Sequence, residues 1–115
     1  MKKSEITIEV SLDDNNRPSQ IHWEADSPDG RQRKESKAML LSLFDRETLD
    51  TFKIDIWTND LQIAEMDRLV YYTLRSITDT YYTATQNEEL SNHMRSFVRH
   101  FGEYTKIIEP STETE

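Results

Sequence analysis

Residues 36–57 read SKAMLLSLFDRETLDTFKIDIW, two apolar runs meeting across a polar centre. The first, Ala38 to Phe44, is apolar at almost every position, which suits a buried strand or the body of a short helix. The second run decides between them. Phe52, Ile54 and Ile56 alternate with Lys53, Asp55 and Trp57, the period of two that belongs to a strand. Asp45 to Asp50 in between has turn character, and two strands around one loop make a hairpin. Met39, Leu41 and Leu43 then face one side, and Ala38, Leu40 and Phe44 the other. A strand apolar on both faces needs cover on both faces.

Toward the N-terminus the same period recurs. Ile6, Ile8, Val10 and Leu12 alternate with Glu5, Thr7, Glu9 and Ser11, a strand with one wet face. Asp13-Asp14-Asn15-Asn16-Arg17-Pro18 reads as a turn. It leads into a second strand with Ile21 and Trp23 inward and His22 and Glu24 outward, ended by Asp26-Ser27-Pro28-Asp29-Gly30. Arg31-Gln32-Arg33-Lys34 reads as a solvated basic loop. Toward the C-terminus the period becomes 3.6. Met66, Leu69, Val70, Thr73, Ile77, Tyr81 and Ala84 mark a long amphipathic helix, with Thr58, Asn59 or Asp60 near its start. A second helix opens either on a Thr85/Glu88 capping box or on Asn87. Leu90, Met94, Phe97, Val98, Phe101 and Thr105 form its inner face, and it ends near Ile107 or Ile108, ahead of Pro110. The expected fold is α+β: a four-stranded antiparallel sheet of two hairpins, then two C-terminal helices packed on one face, in the order ββββαα. Residues 1–108 read as one domain and 109–115 as a disordered acidic tail.

Composition narrows the function classes. The chain has 115 residues, 22 acidic against 14 basic, for a net charge of -8. Such a charge repels phosphate backbones, so a nucleic-acid partner is not expected. No cysteine is present and only two glycines, Gly30 and Gly102. That removes thiolate metal sites, cysteine nucleophiles and glycine-rich phosphate loops. His93 and His100 stand seven apart on the second helix, about 10 Å along its axis, too far to share one metal. Carboxylates such as Glu24 and Asp55 are abundant, but nothing in their spacing predicts a desolvated cleft. The expectation is a protein without enzymatic activity, cofactor or metal. The opening residues lack the apolar core of a secretory signal, and no apolar run reaches the ~20 residues of a membrane span. A cytoplasmic location without membrane insertion is expected.

The aromatic pattern points to protein contacts instead. Trp57 shares its strand face with Lys53 and Asp55, while Leu40 and Phe44 lie on a second apolar face of their own strand. One reading has a loop or strand end covering Trp57; the other has this face pairing with another subunit or protein, as exposed apolar surface does. Leu40, Phe44 and Trp57 are therefore the candidate interaction residues.

Several collinear segments resemble the GldC family of Bacteroidetes gliding-motility proteins. They are Met1-Lys2-Lys3-Ser4-Glu5-Ile6, Lys37 to Asp45, Ile54-Asp55-Ile56-Trp57-Thr58-Asn59-Asp60, Glu65-Met66, Thr73 to Tyr81 and Ala84-Thr85. The resemblance implies a small soluble protein supporting surface gliding and its associated secretion machinery, with no catalytic or ligand residues to carry over. It departs from the family pattern at Asp29-Gly30-Arg31-Gln32-Arg33-Lys34, which is more basic. In element order and acidity alone the chain is also similar to SecB, the export chaperone with a four-stranded sheet followed by helices. That likeness implies a homo-oligomer and, as the alternative to an adapter of the gliding apparatus, a holdase for exported proteins.

Overall fold

The computed structural model describes residues 1–110, and its order is β1 (Ile6–Leu12), β2 (Pro18–Ala25), β3 (Lys34–Ser36), β4 (Ala38–Phe44), β5 (Thr51–Trp57), α1 (Ile63–Thr85) and α2 (Glu88–Tyr104). The class is α+β, with two helices following the strands. Glu109 and Pro110 follow α2 without regular structure; the rest of the expected acidic tail lies outside the described residues. The chain forms two compact units, Met1–Leu61 and Gln62–Glu115.

The strands do not make a single four-stranded sheet. They form a three-stranded sheet, β1-β2-β3, and a separate pair, β4-β5, all antiparallel. The expected third strand is broken at Lys37, and the register explains why. Ile21 pairs with Ser36, so continuing the ladder would bring Met39 opposite Pro18, which has no N–H to donate. Beyond Pro18 the chain is already in its turn, and Leu40 to Phe44 have no β2 left to pair with. β4 therefore departs and pairs with β5 alone. Thr58 secures the bend: its backbone N–H donates to the Lys37 carbonyl at 2.8 Å, and its hydroxyl, buried with the residue, lies 3.1 Å from that carbonyl and 2.5 Å from Asp60 Oδ1, with one proton between them. A second tie runs from Asn59 Nδ2 to Asp13 Oδ2 at 3.1 Å.

The basic loop has a structural role that its composition conceals. Arg31 pairs with Asp26 (2.5 Å) and Glu24 (3.2 Å) and reaches the Thr7 hydroxyl; Arg33 pairs with Glu9 (2.8 Å) and Glu24 (3.8 Å). Thr7, Glu9, His22 and Glu24 occupy the polar face of the β1–β2 ladder, so the loop lies over that face as a clasp. The opposite face carries Ile8, Val10, Ile21 and Trp23, with Lys34 Nζ stacked 5.5 Å from the Trp23 ring centre. Ile21 is almost fully buried there.

The second unit is a helical hairpin. α1 opens on Gln62, not on Thr58 to Asp60, which are engaged at the Lys37 bend and its following turn. Gln62 and Glu65 form a reciprocal capping box. Gln86 ends α1 in the left-handed region (φ 59°), donating its N–H to the Tyr82 carbonyl. Of the two possible starts for α2, Asn87 is the cap, accepting from Leu90 N–H at 3.1 Å. The buried seam consists of Tyr71 and Thr78 on α1 and Ser91, Val98 and Gly102 on α2. This differs from the expected stripes: Thr73, Ile77, Ala84, Leu90 and Phe97 are exposed. Small residues at Ser91 and Gly102 let the backbones approach, and two helices alone bury one line of contact and leave the flanking apolar rows open. After α2 the chain turns back, with Ile107 and Ile108 N–H donating to the Gly102 carbonyl.

Gly102 generates the first prediction. A Cβ there would stand 2.5 Å from Tyr71 Cε1 and 2.9 Å from Ile108 Cγ1. Gly102→Ala gains up to ~1 kcal/mol in helix propensity, but overpacking a buried ring costs ~1–3 kcal/mol. A net loss of roughly 1 kcal/mol in urea unfolding is expected; an unchanged or raised midpoint would contradict the packing.

The clasp generates the second. The Arg33 guanidinium holds the Glu9 carboxyl below its ordinary value of 4.5, and the Glu5 N–H followed by Arg31 holds Asp26 below 3.8. A folded value below the unfolded one contributes stability above the unfolded value, lost as pH falls through the folded one. Unfolding free energy should therefore decline from about pH 5 downward. The decline should be shallower in the Arg31→Gln/Arg33→Gln double variant; identical pH profiles would show that the clasp contributes nothing.

Candidate interaction surface

β4 and β5 are paired from Ala38↔Trp57 to Phe44↔Thr51. Because side chains alternate across a strand, Ala38, Leu40, Ser42 and Phe44 share one face with Trp57, Asp55, Lys53 and Thr51. The three nominated residues do lie on this face and are open to solvent: Leu40 37%, Phe44 69% and Trp57 53% exposed. They do not form one patch. Trp57, Ala38 and Leu40 are adjacent, but Phe44 stands four residues beyond Leu40, about 13 Å along the strand. A Lys53–Asp55 ion pair of 3.3 Å lies on the face between the two ends.

Trp57 borders a shallow depression lined by Arg17, Pro18, Asp55 and Asn59. The turns that carry Arg17 and Asn59 are pinned by carboxylates. Asp13 accepts from the backbone N–H of Arg17 and Asn15, which lowers its pKa, and Asp60 accepts from the Thr58 hydroxyl at 2.5 Å, which lowers that one too. The turn beside Phe44 is similarly built: Asp45 accepts from Thr48 and Glu47 N–H, which lowers its pKa, and supports Leu49 at a positive φ of 63°.

The opposite face of the hairpin is the more continuous apolar surface. Met39/Ile56, Leu41/Ile54 and Leu43/Phe52 form three successive cross-strand pairs without a polar interruption, and Leu43, Phe52 and Ile54 are exposed. The sequence pattern placed these six on the side opposite Leu40, Phe44 and Trp57 and did not nominate them. The available signal was the hairpin's apolar content on both faces, which a single layer of cover cannot satisfy.

The other residues considered for chemistry are dispersed. Glu24 is held by Arg31 and Arg33, and Asp55 by Lys53. His93 and His100 are both exposed, His100 with the rings of Phe97 and Tyr104 about 6 Å away. Among the described residues no three His, Asp or Glu side chains come together in a way that could hold a metal ion. Among the described residues no helix is long and apolar enough to cross a membrane.

Fold and surface together define a small α+β protein whose most accessible chemistry is apolar sheet surface. Residues 18–107 match the family model described as gliding motility-associated protein GldC-like, and the chain belongs to that family. No curated protein and no solved structure matches it.

Proposed function

We propose that this protein is a non-enzymatic, cytoplasmic accessory protein that captures a component of the gliding apparatus or its associated secretion machinery through the β4–β5 hairpin. Family membership supports the process. The observation that carries the mode of action is the hairpin's exposed apolar content on both faces.

The magnitudes say how such a partner must sit. Fully burying a large apolar side chain contributes roughly 1.5–3 kcal/mol, so the exposed parts of Leu40, Phe44 and Trp57 together offer about 2–5 kcal/mol. Association itself costs ~4–15 kcal/mol in lost freedom and ordering. Those three residues alone do not reach micromolar binding. Covering Leu43, Phe52 and Ile54 as well about doubles that contribution, which favours a partner that wraps the hairpin and contacts more than one face. An amphipathic segment laid along one face with a second contact at Trp57 meets that requirement.

Apolar rows spread over β1, β4, β5 and both helices also favour a second reading, a SecB-like holdase that binds many unfolded export substrates. The two differ in selectivity. In a pull-down from lysate of a gliding bacterium, the adapter retains one defined motility or secretion component, and Leu40→Asp or Trp57→Asp reduces its recovery at least tenfold with the circular dichroism unchanged. Capture that survives both substitutions rules out the hairpin face. Stoichiometric suppression of aggregation of unrelated unfolded proteins, with no defined component retained, would establish the holdase instead.

A further inference from the structure

The helical unit carries a concentration of positive charge. After residue 61 the sequence has five lysines and arginines: Arg68, Arg75, Arg95, Arg99 and Lys106. Three of them, Arg75 on α1 and Arg95 and Arg99 on α2, line one cavity of about 200 Å³ between the two helices. Its walls contain a single carboxylate, Asp79. Three guanidinium groups against one carboxylate leave a local excess of positive charge in a chain whose net charge is -8.

That excess is not cancelled from within. Among the described residues none of the three arginines forms an ion pair, with Asp79 or with any other carboxylate. Arg95 is held by neutral groups: its Nη1 donates to Asn92 Oδ1 at 2.8 Å, and the guanidinium stands 5.3 Å from the Tyr82 ring centre. Such partners fix the group in place and leave its charge uncompensated. Like charges gathered around one space repel, and an anion seated among them relieves that repulsion.

The rest of the lining is apolar. Tyr71 and Val98 are buried, and Ile108 is half-buried. Thr78 in the same wall spends its hydroxyl on the Leu74 carbonyl at 2.7 Å. A ligand that fits therefore brings an apolar part to the floor and acceptor oxygens to the arginines. Small-molecule sites occupy ~300–1,000 Å³. At about 200 Å³ this cavity takes one inserted side chain and leaves the residues beside it on the rim.

We propose that the groove between α1 and α2 binds a short acidic segment of a partner protein. One large aliphatic side chain of that segment enters between Tyr71, Val98 and Ile108, and carboxylates on either side of it accept from Arg75, Arg95 and Arg99. Arginine clusters recognise acidic segments in this way, because each guanidinium presents a planar fork that matches a carboxylate. The overall charge does not prevent it. Exposed charges more than ~8 Å apart are largely screened at physiological salt, so a short segment responds to the three arginines. The long phosphate backbone of a nucleic acid meets the whole acidic surface and is repelled. The site is built from the helical unit alone and does not depend on capture by the β4–β5 hairpin.

Fluorescence anisotropy tests this with the full chain and a labelled synthetic peptide that carries one leucine between glutamates. The peptide should bind roughly tenfold more tightly than its glutamine counterpart, and replacing the leucine by glycine should cost roughly tenfold. Both comparisons use the unaltered protein and so hold whether or not a variant folds. Arg75→Gln/Arg99→Gln should weaken binding roughly tenfold with unchanged circular dichroism. Arg68→Gln/Lys106→Gln removes the same charge outside the lining and should change it less than about twofold. Equal binding of the glutamate and glutamine peptides, indifference to the leucine, or equal losses in the two double variants overturns the proposal. Displacement by an equal concentration of inorganic phosphate marks a bare anion site and also overturns it. So does a tenfold gain on Glu113→Gln/Glu115→Gln, which makes the chain's own acidic residues the occupant. Hairpin capture is read with Leu40→Asp and Trp57→Asp, so failure of either contact is distinguishable from failure of the other.

Discussion

The grip of Thr58 on the Lys37 carbonyl is the constraint on which the first unit depends. The buried Thr58 donates its backbone N–H to that carbonyl and sets its hydroxyl between it and Asp60, at the point where the chain leaves one sheet and enters another. The break is needed because β2 ends at Pro18 while β4 continues for five residues past any partner it could find there. A buried backbone polar group left unpaired at such a bend costs ~1–3 kcal/mol, and Thr58 removes that cost. The consequence is a hairpin, β4–β5, that is not embedded in a larger sheet and so presents two apolar faces.

The same unit shows how an acidic chain tolerates its charge. Carboxylates are partnered locally by turn N–H groups at Asp13 and Asp45, and by arginines at Glu9, Glu24 and Asp26. Surface pairs of this kind stabilise little individually. Their effect is spatial: Arg31 and Arg33 offset part of the negative charge that Glu5, Glu9, Glu24 and Asp26 bring to the β1–β2 polar face.

In the helical unit, Gly102 plays the part that a large apolar residue plays in a thicker protein. Its missing side chain admits Tyr71 and Ile108 to the seam. The seam is narrow, and Ile77, Leu90 and Phe97 flank it in the open. A chain with so few large apolar residues places them in single rows, and each row needs a surface to meet.

The α+β class, the hairpins of residues 6–25 and 38–57, Asn87 as one of two candidate caps and the shared face of Leu40, Phe44 and Trp57 were all legible in the sequence. Periodicity and turn chemistry are local, and each of these features is decided within about ten residues. The division into two sheets, the clasp by Arg31 and Arg33, and the seam through Tyr71, Thr78 and Gly102 were not. Each depends on where a ladder runs out or how closely two backbones approach, and those distances exist only once remote segments are in register. Residue pattern thus determined which side chains share a face, while tertiary pairing decided which of those faces remained open.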